Sequence, residues 1–178
     1  VRFFSLSFSF YKYEFQKNQI YQNYVDSEDV VREQALSLID YLAGKNPALD
    51  ENFFSERARS HMVDVRILFG WMAGILLLVS AILVINCFYW IFKKQYGELT
   101  KQLILAGVLN VGLVTLLFIF VGFFWEWAFV TFHHIFFSND LWLLSPTDNL
   151  IKMVPEEFFQ DIAAWIGFSI LGSGIVII

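Results

Sequence analysis

Two histidines are the residues of this chain best suited to chemistry: His61, in SERARSHMVDVRILF, and His133, in TFHHIFFSNDLW. Each lies just outside a long apolar stretch, on what should be the same side of a membrane. Ionisable side chains held at a membrane surface by helix ends are costly to place there, so they are functional candidates. Because imidazole takes up and releases protons near neutral pH and also binds metal ions, the pair could serve acid–base catalysis or metal binding.

Charged side chains accompany the histidines at helical spacing. Asp64 follows His61 by three residues, so it shares a helix face with the ring and could accept its N–H and fix its tautomer. Arg57 lies one turn before His61 on that face, and Arg66 at the membrane boundary could bind phosphate or reach into the interface. Glu126 precedes the second histidine by two turns, provided that the helix extends that far.

Other catalytic and metal-binding motifs are absent from the sequence. Gly172-Ser173-Gly174 lies in an apolar helix and favours helix packing over a nucleophile elbow, and the chain has no H-E-x-x-H motif. The single cysteine, Cys87, excludes a disulfide within the chain and any paired-cysteine metal site. We therefore predict no cofactor, while zinc bound by the two histidines with Asp64, or haem ligated by both histidines, stays open as an alternative.

The composition is that of a membrane protein with several spans. Of 178 residues, 57% are hydrophobic and 16% are charged, against about 25% charged residues in soluble domains. Aromatic residues reach 19% and many flank the apolar stretches, as in the interfacial belts of membrane proteins. The net charge of −5 and the absence of a basic patch exclude nucleic acid as a partner.

Three uncharged stretches, Ile67–Phe92, Leu103–Trp125 and Ile162–Ile178, are predicted membrane helices, here called helices A, B and C. The first has 26 residues, roughly 39 Å of helix, against a bilayer core of about 30 Å. Residues 93–101 carry three lysines and one glutamate, so this loop should be cytoplasmic, and residues 132–161 should lie outside with the N-terminal region. The predicted segments are an extracytoplasmic cap at 1–60, helix A at 61–92, a cytoplasmic loop at 93–102, helix B at 103–131, an extracytoplasmic loop at 132–161 and helix C at 162–178.

The cap is predicted to contain both strand and helix. Residues Val1–Tyr13 alternate phenylalanine or leucine with serine, which indicates a strand that could pair with a short strand at Asp140–Leu144. A helix is predicted over 27–43, begun by Ser27 and stopped at Gly44, and Ser55 should cap the helix that continues into helix A. The predicted fold is an α-helical polytopic membrane protein with a small α+β extracytoplasmic cap. The helix over 27–43 has an apolar stripe of Val31, Ala35, Leu38 and Leu42.

Helix geometry predicts that the two imidazoles lie close together. His61 is six residues before Ile67, roughly 9 Å along the helix, and His133 is eight residues beyond Trp125, roughly 12 Å. The short connection makes helices A and B antiparallel neighbours, so both rings should lie at similar depth just above the lipid core. His134 should point away from the pair.

Three motifs resemble those of a family of small bacterial integral membrane proteins, once defined only as a domain of unknown function, that includes the lipoprotein intramolecular transacylases. They are H-M-x-D-V from His61, F-H-x-x-F-F from Phe132 and P-E-x-F-F from Pro155, and the resemblance covers nearly all of the chain. Members typically have four membrane helices. The resemblance therefore implies that the first helix is missing here, in keeping with a sequence that starts at Val1, and we expect that the last helix is truncated.

The resemblance also implies an activity. It implies transfer of an acyl chain from the sn-2 ester of a diacylglyceryl-modified cysteine to the α-amino group of the same cysteine, giving a lyso-form lipoprotein. The family's functional histidines match His61 and His133, and the implied partners are the diacylglyceryl lipoprotein and membrane lipid. The implied location is the bacterial cytoplasmic membrane, with the active site on its outer face. Acyl-chain preference and oligomeric state do not follow from the sequence.

This reaction suits the residues present. Nucleophile and ester belong to one substrate, so the enzyme needs no nucleophile of its own. It needs a base for an α-amino group with a pKa of about 7.7–8.0 and a donor for the tetrahedral oxyanion. One histidine could be the base and the other, or Arg66, the donor, with Asp64 and Glu126 as supporting residues. The alternative is a non-catalytic membrane protein whose outer cap binds lipid or a partner.

Overall fold

The structure, a computed structural model, describes residues 6–24 and 27–177 of the chain. Within these ranges the chain forms α-helices and one short 3₁₀ turn, and no strand. By clustering of contacts it divides into a head unit, Val1–Gly70 with Phe132–Ile162, and an apolar unit, Trp71–Thr131 with Ala163–Ile178. In chain order the elements are α1 Phe8–Lys17, the 3₁₀ turn Ile20–Asn23, α2 Glu28–Leu42, α3 Glu56–Phe92, α4 Tyr96–Phe123, α5 Trp125–Phe136, α6 Asn149–Met153 and α7 Glu156–Ile177.

The predicted N-terminal strand is wrong where the structure describes it. Residues 8–17 form helix α1, and residues 1–5 of the predicted strand lie outside the described residues. The alternation with serine ends at Phe10. From there the buried side chains are those of Phe10, Tyr11, Glu14 and Phe15, which is a helical spacing. The predicted strand at 140–144 is a turn, so the described part of the cap is helical and not α+β.

Helix α2 confirms the helix predicted from the apolar stripe. The Ser27 hydroxyl accepts a hydrogen bond from the Val30 N–H at 3.4 Å, and two acidic residues follow in the first turn. Gly44 follows the helix with φ +79°, a left-handed conformation that glycine adopts without strain and other residues rarely adopt. This explains why the helix stops there. The predicted stripe is buried, at Val31, Ala35, Leu38 and Leu42.

The core of the head unit is aromatic. Phe158, in the first turns of α7, packs edge-on against Phe10 and Tyr11 of α1, with ring centroids 5.4 and 4.9 Å apart. Phe15 and Phe54 are almost fully buried in the same cluster. Ala58 and Met62 of α3 belong to the same cluster, so α1, α3 and α7 share one core beside the first turns of α3, which bear His61.

A buried carboxyl group lies within this core. Glu14 has no exposed surface and accepts a hydrogen bond from the Asn18 amide at 3.0 Å. Burial, and then a hydrogen bond with Asp161, raise the pKa of Glu14 well above its usual range. Lys17 of α1 forms an ion pair with Asp161, which ties α1 to α7.

The apolar unit supplies the membrane helices. Among the described residues, three helices are long and apolar enough to cross a membrane: Glu56–Phe92, Tyr96–Phe123 and Glu156–Val176. Helix B was predicted as one helix, but α4 ends at Phe123 and α5 begins at Trp125. Phe124, between them, has non-helical dihedrals (φ −126°, ψ 42°).

Glycines bring α4 and α7 together. A Cβ atom at Gly167 would lie 2.7 Å from the ring of Phe118, and one at Gly174 would lie 2.7 Å from Asn110 Oδ1. Small residues that let helix backbones approach closely are typical of helix packing in membranes. Gly174 thus supports the interpretation of the Gly172–Gly174 segment as packing.

Candidate histidine site

His61 of α3 and His133 of α5 lie together in the head unit. Their ring centroids are 6.2 Å apart, and only 8% and 9% of their surfaces are exposed. The predicted proximity of the two imidazoles is therefore observed, while their catalytic role stays a prediction. Ionisable groups with strongly perturbed pKa values cluster at functional sites, so this buried pair is a functional candidate.

Aromatic side chains fix the orientation of both rings. Phe137 packs against both histidines, with its centroid 5.0 Å from that of His61 and 5.6 Å from that of His133. Trp142 packs against His133 in a tilted arrangement, with centroids 4.6 Å apart and an interplanar angle of 30°. The resulting surroundings are largely apolar, which strengthens the electrostatic effect of any polar group brought between the rings.

His61 is held in its neutral form. It lies six residues before the charge-free stretch Ile67–Phe92, hence outside the spanning part of α3. Burial lowers the pKa of His61 to about 4; His133 lowers it further, and Asp64 raises it. Its Nδ1 atom is buried and has no hydrogen-bond partner among the described residues. At neutral pH this imidazole is therefore a free base.

Asp64 does not bind the ring N–H of His61 as predicted. Its Oδ2 atom accepts a hydrogen bond from the side-chain amide of Asn139 at 2.9 Å, and it acts on His61 only as a nearby charge. Asn139 Oδ1 in turn accepts from the backbone N–H of Leu141 at 3.0 Å, which closes an Asx-type turn. Hydrogen bonds between catalytic groups are often long without substrate and tighten in the complex.

Arg57 binds the turn that follows α5. We call residues 138–145 the distal turn. The Arg57 Nε atom donates to the carbonyl oxygen of Leu143 at 3.1 Å, and its Nη2 atom donates to the carbonyl oxygen of Asp140. The distal turn is thus attached to α3 at two places, by Arg57 and by the pair Asn139–Asp64.

The other predicted residues lie elsewhere. Arg66 donates to the carbonyl oxygen of Asn46 at 3.1 Å and lies over the Tyr41 ring at 4.8 Å, so it is occupied by the connection between α2 and α3. His134 is exposed and meets the edge of Trp142. Glu126 lies in α5, as does His133, but belongs to the apolar unit, and its role stays a prediction.

The described residues contain no group of three or more His, Cys, Asp and Glu side chains that could hold a metal ion. The zinc alternative required the two histidines and Asp64 to converge on one ion. Asp64 instead binds the amide of Asn139, so this set is not arranged as a metal site.

Sequence reasoning missed the residues that surround the histidines. The predicted strand at Asp140–Leu144 included Trp142 but not Asn139, which had no assignment, although Ser138-Asn139-Asp140 is a cluster of turn-forming residues. That cluster, immediately after a helix, was the signal for a structured turn beside His133. The packing of Phe137 against both rings had no signal, because an apolar residue at that spacing is equally expected in a core.

The long apolar helices define an integral membrane protein, and the head unit with its buried histidine pair marks it as a candidate enzyme. The model of the lipoprotein intramolecular transacylase family, Lit, matches residues 1–159, so the chain belongs to this family of acyltransferases. The comparison with curated protein sequences found no match.

Solved structures agree with this membership. The membrane-integral lipoprotein intramolecular transacylase Lit from Bacillus cereus is 29% identical, with a TM-score of 0.85 over 97% of this chain and 80% of that chain. Two variants of that protein, with a histidine replaced by arginine or by alanine, give TM-scores of 0.77. They cover 94% of this chain and 75% and 76% of theirs. The predicted helical membrane fold is thereby confirmed, with the correction to the cap given above.

Proposed function

We propose that this chain transfers the acyl chain at the sn-2 ester of a diacylglyceryl-modified cysteine to the α-amino group of the same cysteine, using His61 and His133. The observation that carries the proposal is the pair of buried imidazoles, 6.2 Å apart, in a chain of the transacylase family. At this separation one reacting centre placed between the rings can contact both. The substrate supplies nucleophile and ester on one molecule, so proximity does not have to come from the protein.

His61 is the proposed base. The amine nitrogen attacks the ester carbonyl, and His61 takes the proton that the nitrogen must lose as the C–N bond forms. The neutral state of His61, which burial maintains, supports this role. When the C–O bond breaks, the same proton passes to the sn-2 oxygen of the glycerol, so the products are an amide and a free hydroxyl group.

Asp64 is the proposed orienting group for His61. It lies one helical turn further along α3 and already favours the protonated ring electrostatically. A short movement away from the amide of Asn139, or sharing between the two, would let it accept an N–H of the imidazolium formed in the reaction.

His133 is the proposed donor to the oxyanion of the tetrahedral intermediate. Its ring is held by contact with Trp142 and Phe137, so a donor there would be preorganised. Arg66, the other donor considered from the sequence, is bound to Asn46 and Tyr41. His133 is therefore the better-supported donor of the two.

The proposed location of the head unit is the outer face of the bacterial cytoplasmic membrane, where the ester groups of a lipoprotein lie at the headgroup boundary. The lysines at the connection between α3 and α4, Lys93, Lys94 and Lys101, support a cytoplasmic position for that connection by the positive-inside rule. Labelling of single cysteines from outside the cell, introduced at Glu51 and at Gln95 in a C87S background, tests it. Only the cysteine at Glu51 should react, and the reverse pattern would contradict this orientation.

The test of the function is mass spectrometry of a reporter lipoprotein. The full-length protein, H61A, H133A and H134A are expressed in a bacterium that does not acylate lipoprotein N-termini, and the N-terminal peptide is analysed. Wild type and H134A should give an N-acyl, S-monoacylglyceryl cysteine. Loss of a positioned acid–base group lowers rates by about 10²–10⁴-fold, so H61A and H133A should leave the diacylglyceryl form.

H134A is the matched control, since it removes an imidazole from the same helix as His133 but an exposed one. Full conversion by both H61A and H133A would contradict the proposed site. An unmodified diacylglyceryl cysteine in cells with wild-type protein in the membrane would favour the non-catalytic alternative.

A further inference from the structure

We infer that Arg57 is a positioning residue for acyl transfer: it holds the distal turn in the shape that keeps Trp142 packed against His133. This inference rests on the proposed function, to which it adds a residue outside the histidine pair. Arg57 lies in the first turns of α3, one helical turn before His61, and its side chain is directed at the distal turn.

Arg57 binds the backbone on both sides of Trp142. The two carbonyl oxygens that it binds belong to Asp140 and Leu143, the residues on either side of the Leu141–Trp142 segment. The Leu143 N–H also donates to the Asp140 carbonyl oxygen at 3.1 Å, so Arg57 closes the open side of one tight turn. The planar guanidinium, with donors in a fixed fork, can bind two acceptors of set separation at once.

Trp142 transmits this restraint to the site. Its indole packs against His133 with 4.6 Å between centroids, and its Nε1 atom has no hydrogen-bond partner among the described residues. The ring is thus held by its backbone and by packing, not by a polar contact of its own. The conformation of residues 140–143 therefore decides where the indole lies, and with it one wall of the His133 ring.

Loss of Arg57 should therefore displace His133 without removing it. With both carbonyls released to solvent, the turn can open and the indole can leave the imidazole. A displacement of about 1 Å in a reacting group can lower the rate about 10²-fold. We expect R57Q to lower kcat by about tenfold to a hundredfold and to leave KM within about twofold, since Arg57 binds the turn and not the reacting groups.

The experiment compares R57Q with R59Q in the full-length protein. Arg59 is two residues further along α3 and pairs with Glu51 at 3.7 Å, so R59Q is the same substitution on the same helix without a bond to the distal turn. Two quantities are measured: kcat and KM for a synthetic diacylglyceryl lipopeptide, and the proton NMR shifts of the labelled histidine rings. The chain has three histidines, so single alanine variants assign each signal.

The ring current of the adjacent indole moves the ring protons of His133 upfield, and this shift needs no substrate. In R57Q the upfield shift should be lost and kcat should fall, while His61, which lacks the indole contact, keeps its signals. R59Q should match wild type in both. The inference is overturned if R57Q keeps the His133 shift, if kcat falls with that shift intact, or if R59Q has the same effects.

If R57Q does not accumulate in cells, R57K is the second variant to test. The ammonium can bind one of the two carbonyls, so R57K should lose part of the His133 shift and lower kcat severalfold, with R59K as its control. An inactive wild type would refute the proposed function, yet the ring shifts would still decide whether Arg57 positions His133, so the two failures are distinguishable.

Discussion

Lowering the pH from 7.5 to 5.5 should slow acyl transfer through protonation of the substrate's α-amino group and not through protonation of His61. With an amine pKa of about 7.8, roughly a third of the substrate is the free amine at pH 7.5 and about 0.5% at pH 5.5, a loss of about 70-fold. Burial lowers the pKa of His61 to about 4, so this ring stays neutral over the whole range. An imidazole with the ordinary pKa of about 6.5 would add about another tenfold, for about 700-fold in total.

The assay is the initial rate of N-acylation of a synthetic diacylglyceryl lipopeptide in micelles, at substrate concentrations well below KM. The logarithm of the rate should rise with pH with a slope near one between pH 5 and 7. Samples held at pH 5.5 and returned to pH 7.5 should recover full activity, which separates titration from unfolding. A 700-fold loss, with a slope near two below pH 6.5, would refute the argument that burial keeps His61 neutral.

Three further predictions concern the supports of the site and the fold. N139D places a carboxylate where an amide now binds Asp64, and should lower kcat for the lipopeptide by about tenfold; a value within twofold of wild type would show that this contact does not position the carboxylate. The raised pKa of Glu14 means that this group stabilises the fold fully below about pH 4.3 and loses that contribution as the pH rises through its folded pKa. Thermal unfolding followed by circular dichroism should therefore show a Tm for E14Q about 5 °C above wild type at pH 8 and a smaller gain at pH 5, whereas an equal gain at both would contradict it. Finally, G167L should lower Tm, with overpacking costing about 1–3 kcal/mol, whereas G172L should not, since nothing lies within 4 Å of a Cβ at Gly172; equal losses would argue against close packing of α4 on α7.

Long-range periodicity made the helical part of the fold predictable. The apolar stretches exceed the length needed to cross a membrane, and the stripe of α2 has a cap and a stop at its two ends. Helix α1 was misassigned because residues 4–10 alternate with period two, and a short alternating stretch cannot show that the residues beyond it change to helical spacing. In the structure Glu14 is buried beside Asn18 and Asp161, contacts between α1 and its surroundings that the local sequence pattern does not reveal.

The proximity of the two histidines was predictable because each lies a known number of residues from the end of an apolar stretch, which sets its depth relative to the membrane. The partners of these histidines were not, since they depend on the path of the distal turn. Asp64 was expected to bind His61 from their spacing, but helical spacing brings two side chains near each other without deciding which acceptor each donor chooses. The side-chain amide of Asn139, in the distal turn, donates to the Asp64 carboxylate instead. Arg66 donates to the carbonyl oxygen of Asn46, in a connection whose shape the sequence does not specify.

The central claim is that the acyl chain moves within one substrate molecule. The most direct measurement mixes two lipopeptides, one with both its sn-2 acyl chain and its peptide isotopically heavy, the other light throughout, and analyses the N-acylated products by mass spectrometry. Intramolecular transfer predicts heavy chains on heavy peptides and light chains on light peptides only, with neither product formed by H61A. Heavy chains on light peptides in proportion to the mixture would contradict the claim.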